Sequence, residues 1–149
     1  AWAAGRQGTM DDDVTETRAA DRATTTVLGR AAEDLALRHL EQAGLACLAR
    51  NYRCRAGEID LVMLEPGPAG KVLVLVEVRS RSRSDFGAAA ATVGPGKRRR
   101  LSLAARHLLL ARQELRRLPA RFDVVAIDPP APGTAGPRLT WLRGAFELW

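Results

Sequence analysis

Gly57-Glu58-Ile59-Asp60-Leu61-Val62-Met63-Leu64, then a Pro66-Gly67-Pro68-Ala69-Gly70 turn, then Lys71-Val72-Leu73-Val74-Leu75-Val76-Glu77-Val78-Arg79, is the stretch that decides the fold. Both apolar runs have the length and β-branched content of core strands. In the second run Val72, Val74, Val76 and Val78 share one face, and Leu73, Leu75, Glu77 and Arg79 share the other, because strand side chains alternate with period 2. The same alternation puts Asp60 on the face of Val62 and Leu64, with Glu58 beside it. Each strand therefore carries a carboxylate where a core strand is ordinarily apolar. Two converging carboxylates repel each other away from water and call for a cation. Oxygen-only ligands suit hard Mg2+ or Mn2+, with water and phosphate oxygens completing the shell. A plainer reading stays open: Glu77 and Arg79 as an ion pair at a strand end, and Asp60 as a turn cap.

Outward from this pair, Leu45 to Arg53 reads as a preceding strand, and Cys54-Arg55-Ala56-Gly57 as a tight turn. The three strands form an antiparallel meander. Before them, Leu28, Ala32, Leu35, Ala36, Leu40 and Ala43 make one helical stripe that stops at Gly44. Glu33 borders the stripe and can reach inward, whereas Asp34 and Arg38 point to solvent. His39 falls within the stripe as a packing residue. Residues 1–26 show no periodicity and are expected to be poorly ordered, with 27–149 as a single domain; one expectation is that Ala1 to Thr9 is an expression remnant ahead of Met10.

Beyond Arg79, residues 80–96 read as a loop carrying Arg81, Arg83 and hydroxyl side chains, suited to phosphate contact or simply solvated. Pro95 opens a second helix, expected to run to about Arg117, with Leu101, Ala104, Ala105, Leu108, Ala111, Arg112 and Leu115 facing inward. Lys97-Arg98-Arg99-Arg100 sits at that helix's N-terminus, where the macrodipole disfavours cations unless an anion arrives. A solvated basic face is the alternative. Arg121 to Ile127 is a fourth strand, and Leu139 to Leu142 a short fifth before the packing tail Ala145 to Trp149. Asp123 is expected to pair with Arg121 or another arginine rather than to act in catalysis.

The chain has 149 residues, 46% of them apolar, enough for one domain with a real core. Its net charge is +6. The segment from Arg79 to Arg121 concentrates this charge, with 12 basic residues against Asp85 and Glu114. Such placement points to an anionic partner, nucleic acid before membrane. Cys47 and Cys54 match no zinc or redox spacing and read as buried free thiols. No run approaches the roughly 20 apolar residues of a membrane span, and no signal peptide is evident, so a cytoplasmic location is expected.

The order helix with Glu, strand with Asp, strand with Glu-x-basic, helix, strand resembles the restriction-endonuclease-like PD-(D/E)xK nuclease core, an α/β fold with a mixed central sheet flanked by helices. The chain more closely resembles the YraN family of nuclease-like bacterial proteins, akin to archaeal Holliday-junction resolvases. The matching pieces are Leu28-Gly29-Arg30-Ala31-Ala32-Glu33-Asp34-Leu35-Ala36, Arg50-Asn51-Tyr52-Arg53, Gly57-Glu58-Ile59-Asp60-Leu61, Val76-Glu77-Val78-Arg79-Ser80-Arg81, Lys97-Arg98-Arg99-Arg100-Leu101 and Arg121-Phe122-Asp123-Val124-Val125. The resemblance implies Asp60 and Glu77 as metal ligands, the Val78 carbonyl as a third, and Glu33 as an outer ligand from the first helix. Glu58 would orient water or a ligand. Arg79 stands where the family's usual Lys stands; it stabilises charge but is a poor proton acceptor. Lys97 is the candidate to supply an ammonium instead.

The activity implied is Mg2+-dependent hydrolysis of phosphodiesters in branched or structured DNA, with Arg81, Arg83, Lys97, Arg98, Arg99 and Arg100 gripping the backbone without reading bases. A homodimer would suit symmetric junctions. Two alternatives stand beside the enzyme: a protein of the same fold that binds nucleic acid without cutting, and a protein-interaction module that docks its basic helix on an acidic partner.

Overall fold

The computed structural model describes residues 28–81 and 93–147. The chain divides into two compact units, Ala1–Ala31 and Ala32–Trp149. Of the first, residues 28–31 are described and are helical. Residues 1–26 and Arg83, which carried expectations above, lie outside the described residues. The second unit is an α/β fold. Among the described residues it has a five-stranded mixed sheet in the order β1-β2-β3-β4-β5. The strands are β1 (Ala46–Cys54), β2 (Gly57–Gly67), β3 (Gly70–Ser80), β4 (Ala120–Asp128) and β5 (Arg138–Phe146). Helix α1 covers residues 28–42 and α2 covers Pro95–Ala111.

The meander forms as the alternation requires. β1 pairs with β2 and β2 with β3, both antiparallel. The chain then crosses over through α2, so β4 runs parallel to β3, with Glu77 opposite Val124. β5 returns antiparallel along β4.

Each sheet face is sealed by one helix. Leu61, Met63, Val74, Val76, Val125 and Ile127 meet Ala32, Ala36 and Leu40 of α1. Ile59, Val62, Leu73, Leu75, Phe122 and Val124 meet Leu101, Ala104, Ala105 and Leu108 of α2. Burying such side chains contributes roughly 1.5–3 kcal/mol each and dominates the fold's stability. Gly57 seats α2 closely: a Cβ there would lie 3.0 Å from the Arg100 carbonyl oxygen. Gly44, with φ +101°, ends α1 as its sequence position predicts.

Two elements differ from expectation. The second helix does not run to Arg117; it ends at Ala111, and Gln113–Arg117 forms a 3-10 turn that still buries Leu115. At Arg112 the backbone leaves the helical region, with φ −125° and ψ 80°, so Ala111 and Arg112 are exposed rather than part of the inner stripe. The last strand is longer than Leu139 to Leu142. It continues to Phe146 through Gly144, at φ +59°, and a register irregularity opposite Phe122 and Val124. That extension stacks Phe146 on Phe122 at 4.5 Å between ring centroids.

Opposite Val76 in the β3–β4 ladder, Asp123 is fully buried. It accepts hydrogen bonds from Arg121 Nε (2.9 Å), Trp141 Nε1 (2.9 Å) and the Gly144 amide (2.9 Å). Arg121 and Arg143 also hold Glu65, and the Arg121 pairing pulls the Glu65 carboxyl below its usual range. This network ties β2, β4 and β5 together; Asp123 pairs with Arg121, as its position suggested. Among the described residues, no helix is long and apolar enough to cross a membrane.

Candidate metal and nucleic-acid site

The ladder between β2 and β3 runs from Gly67–Gly70 to Leu61–Val76. Asp60 and Glu77 stand just past that last pair. There Asp60 Oδ2 accepts a hydrogen bond from the Val78 amide at 2.8 Å, in place of a backbone carbonyl. The Asp60 carboxylate thus bridges the opening between the strands. Simple alternation fails at this point: Ile59 packs toward α2, and Leu61 packs toward α1. Asp60 is therefore not simply co-facial with Val62 and Leu64. The bridge brings it within electrostatic reach of Glu77, Glu58 and Glu33.

Burial, then the neighbouring charge of Glu77, raises the Asp60 pKa from 3.8 to about 7; the Val78 amide opposes the shift. Glu77 is 8% exposed. Its Oε1 lies 3.2 Å from Lys97 Nζ, and its buried Oε2 has no hydrogen-bond partner. A buried carboxylate oxygen left unpartnered beside a second carboxylate is an arrangement a divalent cation would satisfy. Among the described residues no group of three or more His, Cys, Asp and Glu side chains comes together for a metal. The donor set is thus two carboxylates, a pattern that suits Mg2+, which keeps several waters of its own. Glu33 stays one step out, its Oε2 taking a hydrogen bond from Asn51 Nδ2 at 3.1 Å. Burial raises the Glu33 pKa.

Lys97 arrives from the first turn of α2, which carries no acidic residue and no side-chain cap. Glu77 supplies the negative charge that this helix end favours. Arg79 follows Glu77 on β3 and is half-buried beside Ala126 of β4.

The remaining arginines divide. Arg81 makes a two-pronged ion pair with Asp128, its Nη2 lying 2.6 Å from Oδ2. It clamps the ends of β3 and β4. Arg98 donates to the Val93 carbonyl at 2.7 Å and lies over the Phe146 ring. Arg99 and Arg100 are exposed on α2. Glu58 pairs with Arg53 at 3.3 Å. Asn51 escaped the sequence reading. It lay within the matching piece Arg50-Asn51-Tyr52-Arg53 without an assigned role, and its one physical signal was residue type, since asparagine tolerates positive φ better than most.

This geometry defines an α/β protein with paired carboxylates where two core strands part, faced by a lysine from a basic helix. The model of the family described as "Uncharacterised protein family UPF0102" matches residues 32–127. A UPF0102 protein of Cupriavidus pinatubonensis is 53% identical over 129 residues, covering 85% of this chain and 91% of its own length. One from Dechloromonas aromatica is 51% identical over 124 residues, covering 83% and 92%. One from Pseudomonas aeruginosa is 43% identical over 127 residues, covering 85% and 98%. The chain belongs to UPF0102, the YraN family.

Proposed function

We propose that the protein is a Mg2+-dependent, structure-selective DNA endonuclease built on a restriction-endonuclease-like core. The observation that carries the reading is the meeting of Asp60 and Glu77, with Lys97 Nζ 3.2 Å from Glu77. Asp60 and Glu77 would hold Mg2+ or Mn2+, with Glu33 as an outer acceptor for water. When bound, the ion supplies a water of lowered pKa and positive charge against the phosphoryl oxygen. Lys97 would supply an ammonium beside Glu77, and Arg79, at the basic position of the Glu-x-basic motif, would stabilise charge without accepting a proton. Arg99 and Arg100 grip phosphates without reading bases, so the substrate is chosen by shape. A pair of such chains would suit symmetric, branched DNA.

The test is a panel of labelled linear, flapped and four-way DNA incubated with Mg2+ and with Mn2+. Cleavage of branched DNA, lost in Asp60→Asn and Glu77→Gln while DNA binding persists, is expected. No cleavage of any member with either ion overturns the enzyme reading. Arg79 favours one alternative, a DNA-binding protein that does not cut; cleavage appearing only in Arg79→Lys would select it.

A further inference from the structure

Asn51 is the non-glycine residue with positive φ among the described residues, at +50°. It lies inside β1, where regular strand geometry requires nothing of the kind. A side chain held there carries strain and persists only where its surroundings fix it. The kink has a visible product. Arg50 and Asn51 both turn toward α1, whereas Tyr52 returns to the α2 side. Across the ladder, Arg50 pairs with Leu61 and Tyr52 with Ile59, which leaves Asn51 facing Asp60. The break in β1 and the break in β2 are thus the same break.

Two forces compete for Glu33. The charges of Asp60 and Glu58 disfavour the Glu33 carboxylate beside them, and Arg50, its Nη2 3.8 Å from Glu33 and 2.6 Å from Asp34, attracts it. The Asn51 amide, at 3.1 Å, is the neutral donor that holds it in place. We infer that Asn51 is a positioning residue whose left-handed backbone and side-chain amide keep Glu33 beside Asp60, as the outer acceptor of the divalent-ion site. This rests on the metal reading proposed above. A group that orients an outer partner of a metal site typically changes affinity 10- to 100-fold when removed.

Glycine adopts φ +50° without strain, so Asn51→Gly keeps the backbone and deletes only the amide. The experiment is calorimetric titration of the full chain with Mn2+, for wild type, Asn51→Gly, Glu33→Gln and the double variant, with melting temperatures alongside. The expected result is an about tenfold weaker Mn2+ affinity in Asn51→Gly at nearly unchanged melting temperature. The double variant should bind no more weakly than Glu33→Gln alone, because Asn51 acts through Glu33. Unchanged affinity in Asn51→Gly, or losses that simply add, overturns the role of Asn51 while leaving the metal site standing. Absence of Mn2+ binding in wild type overturns both, and the wild-type titration alone identifies that case. Should Asn51→Gly fail to fold, Glu33→Gln decides: full Mn2+ affinity without the Glu33 carboxylate sinks the inference.

Discussion

Lys97 of α2 places its ammonium 3.2 Å from the Glu77 carboxylate of β3, although the two lie on different elements 20 positions apart in the chain. The contact puts a cation beside the paired carboxylates and offsets the unfavourable basic cluster at the helix end. On the nuclease reading proposed above, replacing it by a neutral side chain of similar length, Lys97→Met, is expected to lower branched-DNA cleavage by about 100-fold or more, as removal of a preorganised charge at a reacting centre does. Lys97→Arg should not restore the rate. Single-turnover kinetics at saturating Mg2+ would check both, and wild-type rates in Lys97→Met would remove Lys97 from the reaction.

The shared environment of Asp60 and Glu77 has a pH signature. The Asp60 pKa is raised from 3.8 to about 7, so the folded protein binds a proton that the unfolded chain releases. Stability from this group is fully present below pH 3.8 and is lost as pH rises through about 7. Metal-free wild type should therefore lose melting temperature across that window, by on the order of 5 °C relative to Asp60→Asn, which has nothing to titrate there. Differential scanning calorimetry from pH 4 to pH 8 measures it. Parallel curves for the two proteins would deny the raised pKa.

Asp123 is expected to matter for stability and not for chemistry. It is buried on β4, opposite Val76 of β3, with Arg121, Trp141 and the Gly144 amide donating to it. Asp123→Ala leaves the Trp141 and Gly144 donors without their acceptor and Arg121 with Glu65 alone, at a cost of roughly 1–3 kcal/mol. Urea unfolding gives that number directly. A loss below about 1 kcal/mol would mean that the network is replaceable by water.

Arg99 and Arg100 are exposed, whereas Arg81 is engaged by Asp128 and Arg98 by Val93. If the proposed DNA binding holds, removing an exposed phosphate contact should lower the slope of log affinity against log salt by about one, equally for all sequences. Arg99→Ala and Arg100→Ala, measured by fluorescence anisotropy at several salt concentrations, are expected to do so. A salt-independent affinity would favour a protein partner for the basic helix.

The central sheet could be read because its signals are local. The Val72–Val78 alternation, the turn at Gly67–Gly70 and Pro95 at the start of α2 each act within a few residues. A strand bearing Asp60 closely followed by one bearing Glu77 is likewise a local pattern. What escaped was settled by distant partners. Arg81 meets Asp128 across 47 positions, so its reading as a phosphate ligand lacked the competing carboxylate. The length of β5 depends on Phe146 stacking against Phe122 and on Gly144 accepting a positive φ. Asn51 carries no glycine-like signal, and its kink shows only where β1, β2 and α1 converge. That kink also explains why alternation alone misplaced Asp60 on a face.

Calorimetric titration of wild type, Asp60→Asn and Glu77→Gln with Mn2+ at pH 8 tests the paired-carboxylate site most directly. One ion per chain for wild type, with affinity lost in both variants and the proteins still folded, is the predicted result. Undiminished Mn2+ binding by either variant, or none by wild type, would contradict it.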